Sequence, residues 1–430
     1  MKKFRHVAVP SRLTVMLLFP LTFLPSLAFS QTPTEPAPTP APYASLDRTT
    51  VSYQGPGRST ANDLPGSTVA LGLLLPLQGK HAAQGQLLLA AAQQAIADEN
   101  AAGALTDGRQ MILAVRNENE RWGQASSNIV ELVEQQHVAI LITAFKGEIA
   151  HQAEQVANKL GVPVITLSTD PTATQINIPW IFRLGPSDIE QARLMTAEIA
   201  AHPAYKNILL VSEADHDGRI GAREFLRAAK LNCPLAGVQS LEVNSSSWDE
   251  NFWQQQIKMI QPDVLVLWTN PESAFRLLAI ARSYRQDTLA LLSRKAAQYS
   301  PSDAPAIDGE SRGVSQNHQQ VEHELVVLSG GWVNVAGDDL PYLATSDIYL
   351  AVRIAAAALR HTGPNRARLR DYLASGSPLF RGSDRTSQIS FDPAGNSLAD
   401  FLLVPRGKLA AASDSEDSVT HTNLPLSTLN

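Results

Sequence analysis

The sequence predicts an α/β fold built from two parallel-sheet units in tandem. The clearest sign lies between Val138 and Asp170. The short apolar run Val138–Ile142 gives way to Ile149, Ala153, Val156, Ala157 and Leu160, which share one face of a helix. The apolar run Val162–Ile165 follows. A strand, a helix and a parallel strand in about 30 residues make a right-handed βαβ unit. The second sign is recurrence: strand-like runs and helical periods alternate along most of the chain. The third is that the alternation restarts after Pro186 without a Gly/Ser-rich linker, so the two units are joined tightly.

Taken in order, Val69–Leu75 is the first core strand. A loop at Pro76–Lys80 leads into a helix with Leu88, Ala91, Ala92, Ala95 and Ile96 on one face. Asn100–Arg109 is a polar turn region, Met111–Arg116 a strand, and Ala125, Ile129, Leu132 and Val133 mark the next helix. Gly161 stands where a left-handed residue commonly ends a helix. Ser187-Asp188-Ile189-Glu190 reads as a capping box opening the helix through Ala192, Met195 and Ile199. Strands then fall at Asn207–Ser212, Val238–Val243, Asp263–Trp268 and Thr288–Leu292, with helices at Ile220–Lys230, Trp248–Ile260 and Pro271–Tyr284. Residues 294–323 are polar and aperiodic and read as loops, with room for a short helix. Glu324–Ser329 is a strand, and Leu343–His361 and Arg366–Ala374 are helices. Gln388–Asp392 and Asp400–Val404 predict a terminal hairpin around Pro393–Asn396.

The chain's 430 residues suffice for two cored domains. A net charge of −6 argues against a nucleic acid or an anionic membrane surface as partner. Cys233 is the only cysteine, which excludes an internal disulfide and a thiolate metal cage; a buried thiol is expected. Lys2, Lys3, Arg5 and Arg12, the apolar Leu13–Leu24 and the small-residue pattern Ala28-Phe29-Ser30 read as a signal peptide over residues 1–30. The apolar core is too short to span a bilayer, and no cysteine follows for lipid attachment. An exported, periplasmic or secreted protein without membrane insertion is expected. Residues 31–67 read as a disordered Pro/Thr/Ser-rich linker and 411–430 as a polar tail.

Chemical motifs are scarce. Gly72–Lys80 is no phosphate loop, since His81 stands where a Ser or Thr belongs. Gly55-Pro56-Gly57 lies in the linker rather than between a strand and a helix. No Gly-x-Ser-x-Gly elbow occurs. His318 and His323 lack the spacing of a helical metal pair, and Glu118, Glu120, Glu131 and Glu134 read as solvated surface carboxylates. Neither catalysis nor a metal or cofactor is expected.

In open parallel sheets ligands bind outside the carboxyl ends of the strands. In the Val138–Ser187 stretch those ends carry Lys146, Gly147, Thr166, Ser168 and Thr169. The chain resembles the type 1 periplasmic binding proteins of the leucine/isoleucine/valine-binding group, which serve ABC importers. The carrying segments are Leu73–Lys80 with Gln84-Gly85, Gly161–Thr166 with Ser168-Thr169, Phe182–Asp188 and Ile389–Asn396; together they span about Val69 to Leu409. The resemblance implies two doubly wound lobes joined by three crossover strands, closing like a flytrap on a ligand. It places lobe 1 at 68–185 and 330–386, and lobe 2 at 186–329 and 387–410.

Position by position, the resemblance puts Thr169 where the family has a ligand-binding hydroxyl and Ser168 at a neighbouring backbone contact. Gly147 falls where amino-acid binders place a Ser, beside Lys146. Asp217 replaces a family Tyr, and Asn270 lies near another aromatic position. Arg294 lies close to an acidic group that meets the ligand's ammonium, so an inward Arg294 would favour a carboxylate. Arg183, on a crossover strand, implies a hinge residue. The implied function is capture of a small polar organic ligand, amino-acid-like or carboxylate, by a monomer that delivers it to an ABC permease. A regulatory or scaffold ligand-binding protein on the same fold is the alternative, and an exported hydrolase is disfavoured for want of a nucleophile–base pair.

Overall fold

The computed structural model describes residues 63–405 except 104, 106, 119–122, 176–177, 299–322, 330–342 and 382–387. The leader at 1–30, all of the linker before Asp63, Glu120, His318 and the tail at 411–430 lie outside the described residues.

The first lobe is a parallel sheet of β1 (Thr68–Leu75), β2 (Gln110–Asn117), β3 (Ile140–Thr143), β4 (Val164–Thr166) and β5 (Ile181–Arg183), in the order β2-β1-β3-β4-β5. Its connections are α1 (Ala82–Ala101), α2 (Gln124–Glu134), α3 (Gly147–Leu160) and the single turn α4 (Thr172–Gln175). The sheet is buried on both faces, so β1 reads as a continuous apolar run. Leu71, Leu73 and Leu75 enter one core, while Ala70 and Leu74 enter the other beside α2 and α3. That is the period of two that a strand imposes. Gly161 ends α3 with φ 64°, the left-handed cap expected there.

The chain crosses to the second lobe through Leu184–Ser187. Ser187 Oγ accepts from Glu190 N, and Glu190 Oε2 accepts from Ser187 N at 2.6 Å, completing the capping box at the start of α5 (Asp188–Ala201). This lobe continues through β6 (Asn207–Glu213), α6 (His216–Asn232), β7 (Gly237–Val243), α7 (Glu250–Ile260), β8 (Val264–Trp268), α8 (Pro271–Tyr284), β9 (Leu289–Leu292) and β10 (Glu324–Ser329). Cys233 is buried in its core. Residues 330–342, which follow β10, lie outside the described residues.

The chain then returns to the first lobe as α9 (Leu343–Thr362), packed on α1, and α10 (Arg366–Leu373). The expected terminal hairpin forms only near its turn, where Phe391 and Ser397 bridge antiparallel and Leu398 N donates to Ser390 O at 2.9 Å; beyond that its arms part. β11 (Phe380–Arg381) pairs with β12 (Gln388–Ile389), a tight turn spans Asp392–Asn396, and β13 (Phe401–Pro405) joins β10 antiparallel at the edge of the second sheet. The second sheet therefore runs β13-β10-β9-β8-β6-β7. The reason is burial. Ile389 and Phe391 sit in the first lobe's core, Phe391 with its ring centroid 5.3 Å from that of Phe182, whereas Phe401 packs in the second lobe's core. The arms of the turn thus serve different lobes, and this crossing lies between Phe391 and Phe401 rather than at 387. Among the described residues no helix is long and apolar enough to cross a membrane.

Candidate functional site

The lobes meet where the carboxyl ends of β3 and β4 and the N-terminus of α3 face the N-terminus of α6. On the first-lobe side the hydroxyls form an internal chain. Thr143 Oγ1 donates to Thr166 Oγ1 at 2.9 Å, Ser168 N donates to Thr166 Oγ1 at 3.2 Å, and Asp170 N donates to Ser168 Oγ at 3.2 Å. Thr166 and Ser168 are fully buried, while Thr169 is half-buried and its carbonyl accepts from Asp188 N at 2.8 Å. Thr166 and Ser168 therefore shape the strand end, and Thr169 is the more accessible hydroxyl.

Across the seam, Gly147 N, in the first turn of α3, donates to Asp217 Oδ1 at 3.0 Å. A side chain at 147 would force a neighbour to shift: a Cβ there would lie 2.7 Å from Asp217 Oδ1 and 2.9 Å from Asp170 Oδ2. The helix N-terminus favours an anion, and a carboxylate of the other lobe supplies it. Burial pushes the Asp217 carboxyl above its usual range. Asp215 caps α6 by accepting from Gly218 N at 2.7 Å, and Lys295 Nζ lies 2.5 Å from Asp215 Oδ2. Gln84 Nε2 in α1 donates to Gln298 Oε1 of the second lobe at 2.7 Å.

Beside Gly147, His151 and His216 converge on one carboxylate oxygen. His216 Nε2 lies 2.7 Å and His151 Nε2 3.1 Å from Asp170 Oδ2. Asp170 Oδ1 accepts from Thr172 N at 2.8 Å and Thr172 Oγ1 at 2.6 Å, an Asx turn that fixes the carboxylate plane. His151 Nδ1 lies 2.8 Å from Glu154 Oε1, one helical turn on. Hydrogen bonds to Asp170 and Glu154 lift the His151 imidazole to about 10. Burial alone would raise Asp170, but the bonds from His151, Thr172 and His216 outweigh it and hold the carboxyl below its usual range. Sequence reading missed this cluster. The available signals were His151 and Glu154 at i, i+3 and the Asp170-Pro171-Thr172 turn; His216 is brought in only by the fold.

The other expected site residues have partners of their own. Lys146 Nζ lies 3.0 Å from Glu118 Oε1, so Glu118 is a buried ion-pair member rather than a solvated surface carboxylate. Asn270 caps α8, accepting from Ser273 N at 2.9 Å and donating to Glu213 Oε2 at 3.0 Å. Arg294 faces neither ligand space nor solvent: its guanidinium forms a two-oxygen ion pair with Asp347 of α9, and both are buried. Burial pushes the Asp347 carboxyl up and Arg294 acts against it. Arg183 donates to Thr174 Oγ1 at 2.6 Å and to Asn396 Oδ1 at 2.7 Å, tying the β5 crossing to the Asp392–Asn396 turn.

A family model described as periplasmic binding protein matches residues 68–390. Comparison with curated proteins finds no match. Solved structures share the fold. The branched-chain amino acid transporter substrate-binding protein LivJ of Streptococcus pneumoniae, in complex with isoleucine, is 19% identical with a TM-score of 0.62, over 79% of this chain and 97% of that one. A solute-binding protein of an R. palustris ABC transporter, in complex with benzoate, is 15% identical with a TM-score of 0.64, over 78% and 92%. A leucine-binding protein, LivK, from Thermotoga maritima is 14% identical with a TM-score of 0.61, over 79% and 96%. With the model match covering most of its length, the chain belongs to the periplasmic binding protein family.

Proposed function

We propose that this is an exported solute-binding protein that closes its lobes on a small polar organic ligand and delivers it to an ABC permease. The observation that carries the reading is the polar seam itself, in which the Gly147 N–H of one lobe meets Asp217 of the other. Closure stores ligand information only if both lobes touch the ligand, and here both present hydrogen-bonding groups at one place. Thr169, Gly147, Asp217 and the neighbouring Ser168 and Thr166 remain the proposed contact set.

Among the ligands the motifs imply, amino-acid-like or carboxylate, the seam favours one bearing donors. Arg294 and Lys146 are paired with Asp347 and Glu118, so they present no open fork to a carboxylate. Asp170, Asp188 and Asp217 all lie close by, and the Thr169 hydroxyl reaches the buried Asp188 carboxyl. An ammonium or hydroxyl on the ligand would complement these carboxyls. In the exported form we place cleavage after Ser30.

A thermal-shift panel of amino acids, aromatic and dicarboxylic acids, and small amines, run with chelator present, tests the reading. A true ligand raises the melting temperature with concentration as RT ln(1 + [L]/Kd), and amino-bearing compounds are expected to lead. A panel with no stabilising compound would sink it. Intact mass of the exported protein checks the cleavage site.

A further inference from the structure

We propose that His151, Asp170 and His216 form a divalent transition-metal site that clasps the two lobes together. Nothing in the small-molecule reading requires it. Two imidazoles and a carboxylate suit zinc and its neighbours, whereas calcium and magnesium take all-oxygen sets. One donor from each of the three residues can be chosen so that all lie within 4.8 Å of one another. Around a tetrahedral zinc with bonds of about 2.0–2.1 Å, donors sit about 3.3 Å apart. The Asp170 Oδ2 distances of 2.7 and 3.1 Å to the two Nε2 atoms fall a little short of that spacing, so small outward shifts of the imidazoles would open it to an ion.

The surroundings are those of a supported site rather than a chance contact. Glu154 lies against His151 Nδ1 at 2.8 Å. With Nδ1–H donating a hydrogen bond to Glu154, Nε2 is the ligating atom, the carboxylate–histidine arrangement that orients metal-bound imidazoles. Asp170 is held by Thr172 through its other oxygen, so Oδ2 is the one aimed at the histidines. Asp170 and Glu154 are each 1% exposed, whereas the side chains of His151 and His216 are 26% and 31% exposed, which leaves an approach for the ion and a fourth, solvent-derived ligand. The surplus of carboxylates stabilises positive charge at this point.

His151 and Asp170 belong to the first lobe and His216 to the second. The metal therefore binds the closed arrangement more tightly than the open one, and it shifts the equilibrium toward closure by that difference.

The test uses the full mature chain, stripped with chelator, in calorimetry with zinc chloride at pH 8. One zinc per chain is expected, with a smaller radius of gyration by solution scattering when zinc is added. His216→Ala should abolish the compaction and weaken zinc binding at least tenfold. Glu154→Gln should weaken it about 10- to 100-fold while leaving the stoichiometry intact. Far-UV circular dichroism on each variant verifies folding, and His216→Gln replaces His216→Ala if the latter does not fold. Absence of zinc binding, or binding that survives both His216 and His151 substitutions, overturns the proposal. Because the small-molecule panel is run in chelator, either result stands independently of the other.

Discussion

Of the ties between the lobes, two differ most in kind. The inner one, Arg294 with Asp347, is buried, its side chains 3% and 5% exposed. The outer one, His216 with Asp170, has its imidazole 31% exposed. A buried pair whose partners are desolvated together is costly to break, because parting leaves a charge stranded in a low-dielectric interior. In the outer pair Asp170 is itself 0% exposed, but it keeps His151 and Thr172 when His216 leaves, and the imidazole returns to water, so parting costs less. The inner tie thus marks the pivot, and the outer tie marks the edge that opens. Burial, not the number of bonds, separates a hinge from a latch.

The sharpest way to break that contrast is Asp347→Ala. It leaves Arg294 buried without its carboxylate and should cost about 3–5 kcal/mol of stability, read by denaturant melting. A loss below 1 kcal/mol would show that the pair is not a pivot.

Asp188 probes the same interior through pH. Its Oδ1 accepts from Gln191 Nε2 at 2.9 Å and Trp268 Nε1 at 3.0 Å, and burial raises the carboxyl to about 7, with Asp217 and Asp170 adding to the effect. A carboxyl raised on folding favours the native state below its unfolded value and loses that contribution as pH climbs through about 7. Asp188→Asn should therefore flatten the stability slope between pH 4 and 7 and gain roughly 2–4 kcal/mol at pH 8. Parallel melting curves for the two proteins across that range would contradict it.

At the opening edge the effects shrink. Thr169→Val should weaken ligand binding by about 1–3 kcal/mol with the fold intact; equal affinities by calorimetry would remove Thr169 from the contact set. Without metal, His216→Ala should cost under about 1 kcal/mol of stability. A loss as large as that of Asp347→Ala would erase the distinction between hinge and latch.

The sheets were legible because apolar period and helix caps are local signals: Ser187 to Glu190 and Gly161 formed the caps their types imply. The late turn was legible, since Pro393–Asn396 does turn the chain, but burial of Phe391 in one core and Phe401 in another decides where the arms go. The seam was legible only on one side. Gly147, Thr166, Ser168 and Thr169 follow from strand ends, whereas Asp217 on Gly147 N, Asp347 under Arg294 and His216 on Asp170 are pairings across 70, 53 and 46 residues. Residue type in one sequence names a charge, not its partner.

The bare backbone at position 147 has a use beyond binding. The nearest obstacles to an added methyl are Asp217, on the opposing helix, and Asp170, anchored by Thr172 and both imidazoles. Asp170 has little room to retreat, so a methyl there acts as a doorstop that pushes the Asp217 carboxylate off the Gly147 N–H and loosens α6 from α3. Gly147→Ala is thus a one-atom wedge, a means of propping the molecule ajar so that its gaping form can be trapped, imaged and compared with the shut one.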